Sequence, residues 1–154
     1  MVSPGPVLAA GEIVAFDAGV GSGTIVIRTS ERRLYLILEG GQAKRYVVGV
    51  GRADRQWSGI SYIEAKYVQP NWAPPDAVRR DKPTLPKVIP GGSPANPMGA
   101  AAMTLWGSEY AIHGTNAPKS IGGFVSYGCI RMLNEDIKDL YARVDLGTAV
   151  VVVP

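Results

Sequence analysis

Residues 111–132 read Ala-Ile-His-Gly-Thr-Asn-Ala-Pro-Lys-Ser-Ile-Gly-Gly-Phe-Val-Ser-Tyr-Gly-Cys-Ile-Arg-Met, and they hold the single histidine and the single cysteine of a 154-residue chain, His113 and Cys129. A cysteine nucleophile needs an imidazole to take its proton and a cradle of donors for the oxyanion it creates. Gly114 and Gly128, one beside each residue, let backbone and substrate approach closely. If a helix or tight turn follows Cys129, the N–H groups of residues 128–130 point at a developing tetrahedral oxygen. Arg131, two residues on, suits a substrate carboxylate or a lowered thiol pKa. The bland alternative, a small buried thiol and a core histidine, stays open on spacing alone. The surrounding Gly, Ser, Thr and Asn speak against it, since neither residue lies in a continuous apolar run.

Outward from this stretch the chain reads as strands. Residues 24–29 carry three consecutive β-branched residues, Ile25, Val26 and Ile27. Residues 34–39 and 44–48 flank Gly40-Gly41 and form a hairpin pattern. Further strands are expected at 61–68, 103–106 and 110–113, and at 148–153, whose four valines are too continuously apolar for an exposed edge. Residues 120–127 read as a glycine-punctuated loop. Pro74-Pro75 introduces a short helical turn over 76–80, and residues 81–100, with five prolines and three glycines, form a long surface loop. Loops of that length in a compact domain are usually functional. One helix starts at Asn134, read as its N-cap, with Glu135 and Asp136 at the positive dipole end. Its apolar stripe is Ile137, Leu140, Tyr141 and Val144. Residues 1–23 read as a flexible leader, with at most a short strand at 12–16, and residues 24–154 as one mainly β domain.

Composition sets limits on function. Nineteen glycines and twelve prolines point to many turns, while 46% hydrophobic residues support a real core. One cysteine excludes an internal disulfide, and one histidine with one cysteine makes no metal site; neither metal nor cofactor is expected. A formal charge of +3 without clustered basic runs falls short of a nucleic-acid signature. No segment reaches the roughly 20 apolar residues of a membrane helix, and Val7-Leu8-Ala9-Ala10 is too short for a signal-peptide core.

Three runs, His113-Gly114-Thr115-Asn116-Ala117-Pro118, Ser120-Ile121-Gly122 and Ser126-Tyr127-Gly128-Cys129-Ile130-Arg131-Met132, closely resemble the catalytic segment of the bacterial L,D-transpeptidases, the YkuD-domain family. Asn134-Glu135-Asp136, Leu140-Tyr141 and Gly147-Thr148 resemble the tail of that domain. Arg33-Leu34-Tyr35-Leu36 resembles its early hairpin, and Asn96-Pro97-Met98-Gly99 the loop before its catalytic strands. The likeness spans roughly residues 24–153.

The resemblance implies a mainly β, sandwich-like domain with one short C-terminal helix and a long active-site loop. It implies an enzyme acting on peptidoglycan stems, which serve as acyl donor and acceptor. Cys129 would attack the carbonyl of the third stem residue, typically meso-diaminopimelate, releasing D-alanine and leaving a thioester that a neighbouring stem amine resolves into a crosslink. His113 takes the thiol proton, and the Gly128 and Cys129 N–H groups hold the oxyanion. Arg131 anchors a carboxylate, with a purely structural ion pair as the alternative. Ser126, Tyr127, Thr115, Asn116 and Gly114 are the further substrate-binding candidates. Holding the loop is an equal reading for Ser126, and bracing the loop after His113 is the favoured one for Thr115 and Asn116. Hydrolysis of the same acyl-enzyme, an L,D-carboxypeptidase, and a non-catalytic peptidoglycan-binding module stand as alternatives. Many members carry histidine immediately before the Gly-Cys pair, where this chain has Tyr127, a phenol that is no general base near neutral pH. Trp57, Trp72 and Tyr110 are read as groove-lining or packing residues, and Met98 and Trp106 as packing. A monomer in the periplasm or envelope, its leader missing from this chain, is expected, as is acylation by carbapenems.

Overall fold

A computed structural model describes residues 11–17 and 19–154. Two ten-residue strands, β4 (Gln42–Gly51) and β5 (Gly59–Val68), set the architecture because each serves two layers. In the first layer β1 (Glu12–Ala15) pairs with β4, and β4 pairs with β3 (Arg33–Ile37). From there the order runs through β2 (Ile25–Arg28) and β10 (Ala149–Val153) to β5. The second layer runs from β5 through β6 (Ala101–Leu105) and β7 (Ala111–His113) to β9 (Ile130–Met132). β5 changes layer at a register irregularity between Ile63 and Ala65, leaving β10 for β6. β4 does the same at its far end, where Val48 and Gly49 pair with β9 and Val50 and Gly51 with β8 (Phe124–Ser126). Strands that switch sheets at bulges are how sandwiches turn corners. The mainly β, sandwich-like expectation holds, with one addition that the sequence did not show: the β4–β9 pairing closes the path of strands upon itself.

The hairpin forms as read, with Leu36 opposite Lys44 and both Gly40 and Gly41 at positive φ. The valine strand is central. β10 lies parallel to β2, Val150 opposite Ile25, and antiparallel to β5, Val150 opposite Ser61. Val150 and Val152 enter the main core, whereas Val151 packs on a second cluster of Val26, Tyr35, Ile37 and Ala43. Burial on both faces is the reason for an unbroken apolar run.

Residues 1–10 and 18 of the expected leader lie outside the described residues. The short strand allowed for at 12–16 forms as β1 at the sheet edge, with Glu12 opposite Arg45. Within the expected loop 120–127, Phe124–Ser126 is a short strand beside the end of β4. The turn after Pro75 forms α1 (Asp76–Asp81). The stretch 81–100 is less loose than its composition suggests. Asn96, 2% exposed, donates to the carbonyls of Pro70, Ile89 and Pro90 and accepts from the Met98 N–H, so one side chain organises the loop.

α2 (Asn134–Arg143) presents Ile137 and Leu140, with Val144 just beyond, to the main core. The expected Asn134 cap is not made. Leu133 takes the cap position, no side chain caps the helix, and Asn134 is its first residue with its amide turned elsewhere. The far end is fastened by Lys66, whose Nζ donates to the carbonyls of Tyr141 and Val144, each at 2.7 Å. On the outer side Asp139 meets Lys44 Nζ at 2.8 Å and accepts from the Tyr46 hydroxyl.

Candidate active site

β7 and β9 run parallel, with Ile112 opposite Ile130 and His113 opposite Arg131. Ile112, Ile130 and Met132 enter the core, so alternation sends Ala111, His113 and Arg131 to the other face. Cys129 stands one residue before β9, on the same face as Arg131, and its thiol meets the Ala111 backbone. Strands spaced about 4.8 Å apart with a rise of about 3.3 Å per residue place the Cys129 and His113 Cα atoms about 8 Å apart on the diagonal, a span an imidazole reaches across. The sequence left a helix or tight turn after Cys129 open. A strand follows instead, so the donors beside the nucleophile come from the turn before it.

Burial acts on both His113 and Cys129. His113 is 3% exposed, and its Nδ1 lies 2.6 Å from the Gly114 carbonyl. A carbonyl only accepts, so Nδ1 carries the proton and Nε2 is left basic. Burial pulls the His113 pKa down to about 4, helped by the Arg131 charge and opposed by the Gly114 and Pro97 carbonyls. Burial likewise pushes the Cys129 thiol up, against the Ala111 backbone and the Arg131 charge, which favour the thiolate. Burial thus favours the uncharged form of each side chain.

The turn carrying Cys129 is tightly specified. Gly128 has φ +130, and a Cβ there would lie 2.3 Å from Cε1 of Tyr110, so only glycine fits. Its carbonyl accepts from the Trp57 indole at 2.8 Å, and Trp57 stacks on Tyr110 with centroids 5.1 Å apart. Ser126, read as substrate-binding, is 3% exposed; its hydroxyl donates to the Cys129 carbonyl at 2.6 Å and accepts from the Gly128 N–H at 3.1 Å. It holds the turn, and it also occupies the Gly128 N–H expected in the oxyanion cradle. The Cys129 N–H is the donor that remains.

The loop after His113 is braced in the same way. Thr115 is 2% exposed, and its hydroxyl accepts from the Ala117 N–H, so it too stabilises the loop. Asn116 donates to the Pro94 carbonyl, tying this loop to the 81–100 stretch. Asn134, which sequence reasoning assigned to helix capping, accepts from the Ala100 and Thr115 N–H groups and donates to the Thr115 carbonyl. Gly114 is glycine because a Cβ would sit 2.3 Å from Asn134 Oδ1. Asn134 lies nineteen residues beyond Thr115, so its role is readable only once the loop and helix are in contact.

Arg131 donates through Nη1 to Ser120 Oγ at 3.0 Å, while its buried Nε has no partner among the described residues. Tyr127 donates to the Asp81 carboxylate at the end of α1, and the Arg52 and Arg55 guanidiniums lie 4.4 and 5.6 Å from its ring centre. The Asp81 bond pushes its phenol above the ordinary range, so Tyr127 supplies no base. Among the described residues no cluster of three or more His, Cys, Asp or Glu could hold a metal.

A groove of about 320 Å³ is lined by Ala102, Thr104 and Ala111 together with Tyr67, Pro70, Asn71 and Met98, and Ala111 is the residue whose backbone meets the Cys129 thiol. A larger cavity of about 440 Å³ lies behind the His113 loop, against Asn96, Thr115 and Asn134. Cys129 lines neither. Trp72 bridges to Ile89 at the base of the loop, and Trp106, expected to pack inside, is 55% exposed and stacked on Tyr62.

The L,D-transpeptidase catalytic domain family (YkuD) matches residues 22–152. The chain belongs to this family. It is 40% identical over 136 residues to the probable L,D-transpeptidase ErfK/SrfK of Salmonella typhimurium, covering 84% of this chain and 43% of that protein. It is 41% identical over 133 residues to the probable L,D-transpeptidase YbiS of Escherichia coli K12, covering 82% and 43%. This L,D-transpeptidase domain thus spans less than half the length of those curated relatives. In fold it matches the catalytic domain of an E. faecium L,D-transpeptidase acylated by ertapenem, with a TM-score of 0.65, 18% identity, and coverage of 87% of this chain and 98% of that one. No helix among the described residues is long and apolar enough to cross a membrane.

Proposed function

We propose that the domain is an active L,D-transpeptidase that joins peptidoglycan stems through a thioester on Cys129. The observation that carries this reading is the lone histidine opposite Arg131 on adjacent parallel strands, with the lone cysteine two residues before that arginine, its thiol against the Ala111 backbone and under the Arg131 charge. Cys129 Sγ attacks the carbonyl at the L-centre of the donor's third residue, forming the C–S bond as the thiol proton passes to His113 Nε2. The tetrahedral oxyanion is held by the Cys129 N–H. Collapse breaks the C–N bond to the terminal D-alanine, whose nitrogen takes the proton from His113. A side-chain amine of a second stem then attacks the thioester, forms the new amide and loses its proton through His113 to the leaving thiolate. Two easier acyl transfers replace one amide exchange.

Arg131, with one buried unpartnered nitrogen beside the thiol, is the group assigned to a substrate carboxylate. Gly114 gives the close approach that the loop needs. Peptidoglycan is assembled outside the cytoplasmic membrane, so the domain works in the periplasm or envelope. The test is mass spectrometry of products from purified tetrapeptide muropeptides, with Cys129→Ala as control. Thiol-dependent crosslinked dimers are the expected result. Tripeptide alone would replace transpeptidation by hydrolysis, and no thiol-dependent product from folded protein would refute an enzymatic role on these stems.

A further inference from the structure

Of the donors near the nucleophile, the Gly128 N–H is taken by Ser126, and among the described residues no acceptor lies on the Cys129 N–H. What decides where that free N–H points is the peptide plane it shares with the Gly128 carbonyl. In a trans peptide the carbonyl and the following N–H point in opposite directions, and rotation of the plane turns both together. The Gly128 carbonyl is fixed by a 2.8 Å bond from the Trp57 indole. Trp57 belongs to the connection between β4 and β5, seventy-one residues away along the chain. Its ring is held in turn by stacking on Tyr110, at 5.1 Å and 17° between planes, and the Tyr110 ring fills the space against Gly128 Cα. Indole donor and opposing ring thus fix the plane from two sides.

We propose that Trp57 is a positioning residue for catalysis: its indole N–H holds the Gly128 carbonyl so that the Cys129 N–H faces the developing oxyanion. The role rests on the acyl-transfer reading above. Glycine at 128, with its positive φ, leaves that plane easily rotated unless something outside the turn holds it. Trp57 does not line the groove, and its hydrogen bond to this turn is made to one carbonyl.

The test compares two reactions of the same thiol, which is unambiguous because Cys129 is the single cysteine. Acylation by p-nitrophenyl acetate or a carbapenem passes through an oxyanion, while alkylation by iodoacetamide does not. Trp57→Phe keeps a stacking ring and loses the N–H. Replacement of Trp57 by 3-benzothienylalanine keeps the ring's size as well and serves if the phenylalanine variant does not fold. Losing an oxyanion donor outright costs on the order of 10²–10³ in rate, so misdirecting one should slow acylation by about 10–100-fold. Alkylation should stay within about twofold, taking that as the margin for an intact thiol environment.

Acylation unchanged in the isosteric variant overturns the proposal, as does an equal fall in both reactions, the signature of a general distortion. A wild-type thiol that alkylates but accepts no acyl group from either reagent overturns it too. Selective loss of acylation alongside absent muropeptide products would support the proposal and count only against the choice of stems as substrate.

Discussion

Replacing Asn134 by Ala removes a side chain that binds three backbone groups at once. Its Oδ1 accepts from the Ala100 and Thr115 N–H groups, each at 3.0 Å, and its Nδ2 donates to the Thr115 carbonyl at 2.9 Å. A backbone group left without a partner costs about 1–3 kcal/mol when buried. Asn134 is half-buried beside a polar cavity, so water re-satisfies part of the loss. The expected destabilisation is about 2–4 kcal/mol, or a fall in unfolding midpoint of about 4–16 °C for a domain of this size. Urea unfolding measures it, with the slope unchanged because the same surface is exposed on unfolding. Asn134→Asp sharpens the test. It keeps the two accepted bonds but sets an oxygen against the Thr115 carbonyl, so its loss should fall between those of wild type and Asn134→Ala. Turnover should fall in Asn134→Ala even well below its unfolding temperature, because the loop it holds begins at His113. A loss under about 1 kcal/mol, or an aspartate variant no better than alanine, would refute the brace.

Stability should depend on pH through His113. Its folded pKa of about 4 lies below the ordinary 6.5, so the unfolded chain binds the proton first and stability falls as pH drops from about 6.5 to 4. The contribution is about 3 kcal/mol, complete below pH 4 and absent above pH 7, and His113→Gln should lose that part of the slope in urea midpoints measured across this range. Parallel slopes in the two proteins would refute the buried neutral imidazole. Lys66→Met should cost about 1–3 kcal/mol in urea unfolding by freeing the Tyr141 and Val144 carbonyls. A neutral result would mean that those carbonyls find water without it.

The chemistry-bearing residues were legible because residue type constrains them directly. A single thiol, a single imidazole and an arginine two residues past the thiol have few substitutes, and alternation within β7 and β9 brings them onto one face. The hairpin around Gly40-Gly41 was legible because the turn demands positive φ at both glycines. Less legible were side chains that act on backbone far away. For Ser126 and Thr115 the sequence left substrate contact and loop-holding both open, and the peptide groups they bind became visible only in the fold. Asn134 has the composition of a helix cap and the position of one, yet the loop after His113 claims its amide.

By itself the sequence determined the strands with β-branched runs or glycine turns, though not the short strands on either side of Cys129, and which side chains can do chemistry, because both follow from local periodicity and functional-group identity. The tertiary structure decided which N–H groups are free and which ring holds which carbonyl. It also closed the strand path through β4 and β9. Hydrogen bonds are short and directional, so their partners are settled by the meeting of segments distant in the chain, such as Trp57 and Gly128.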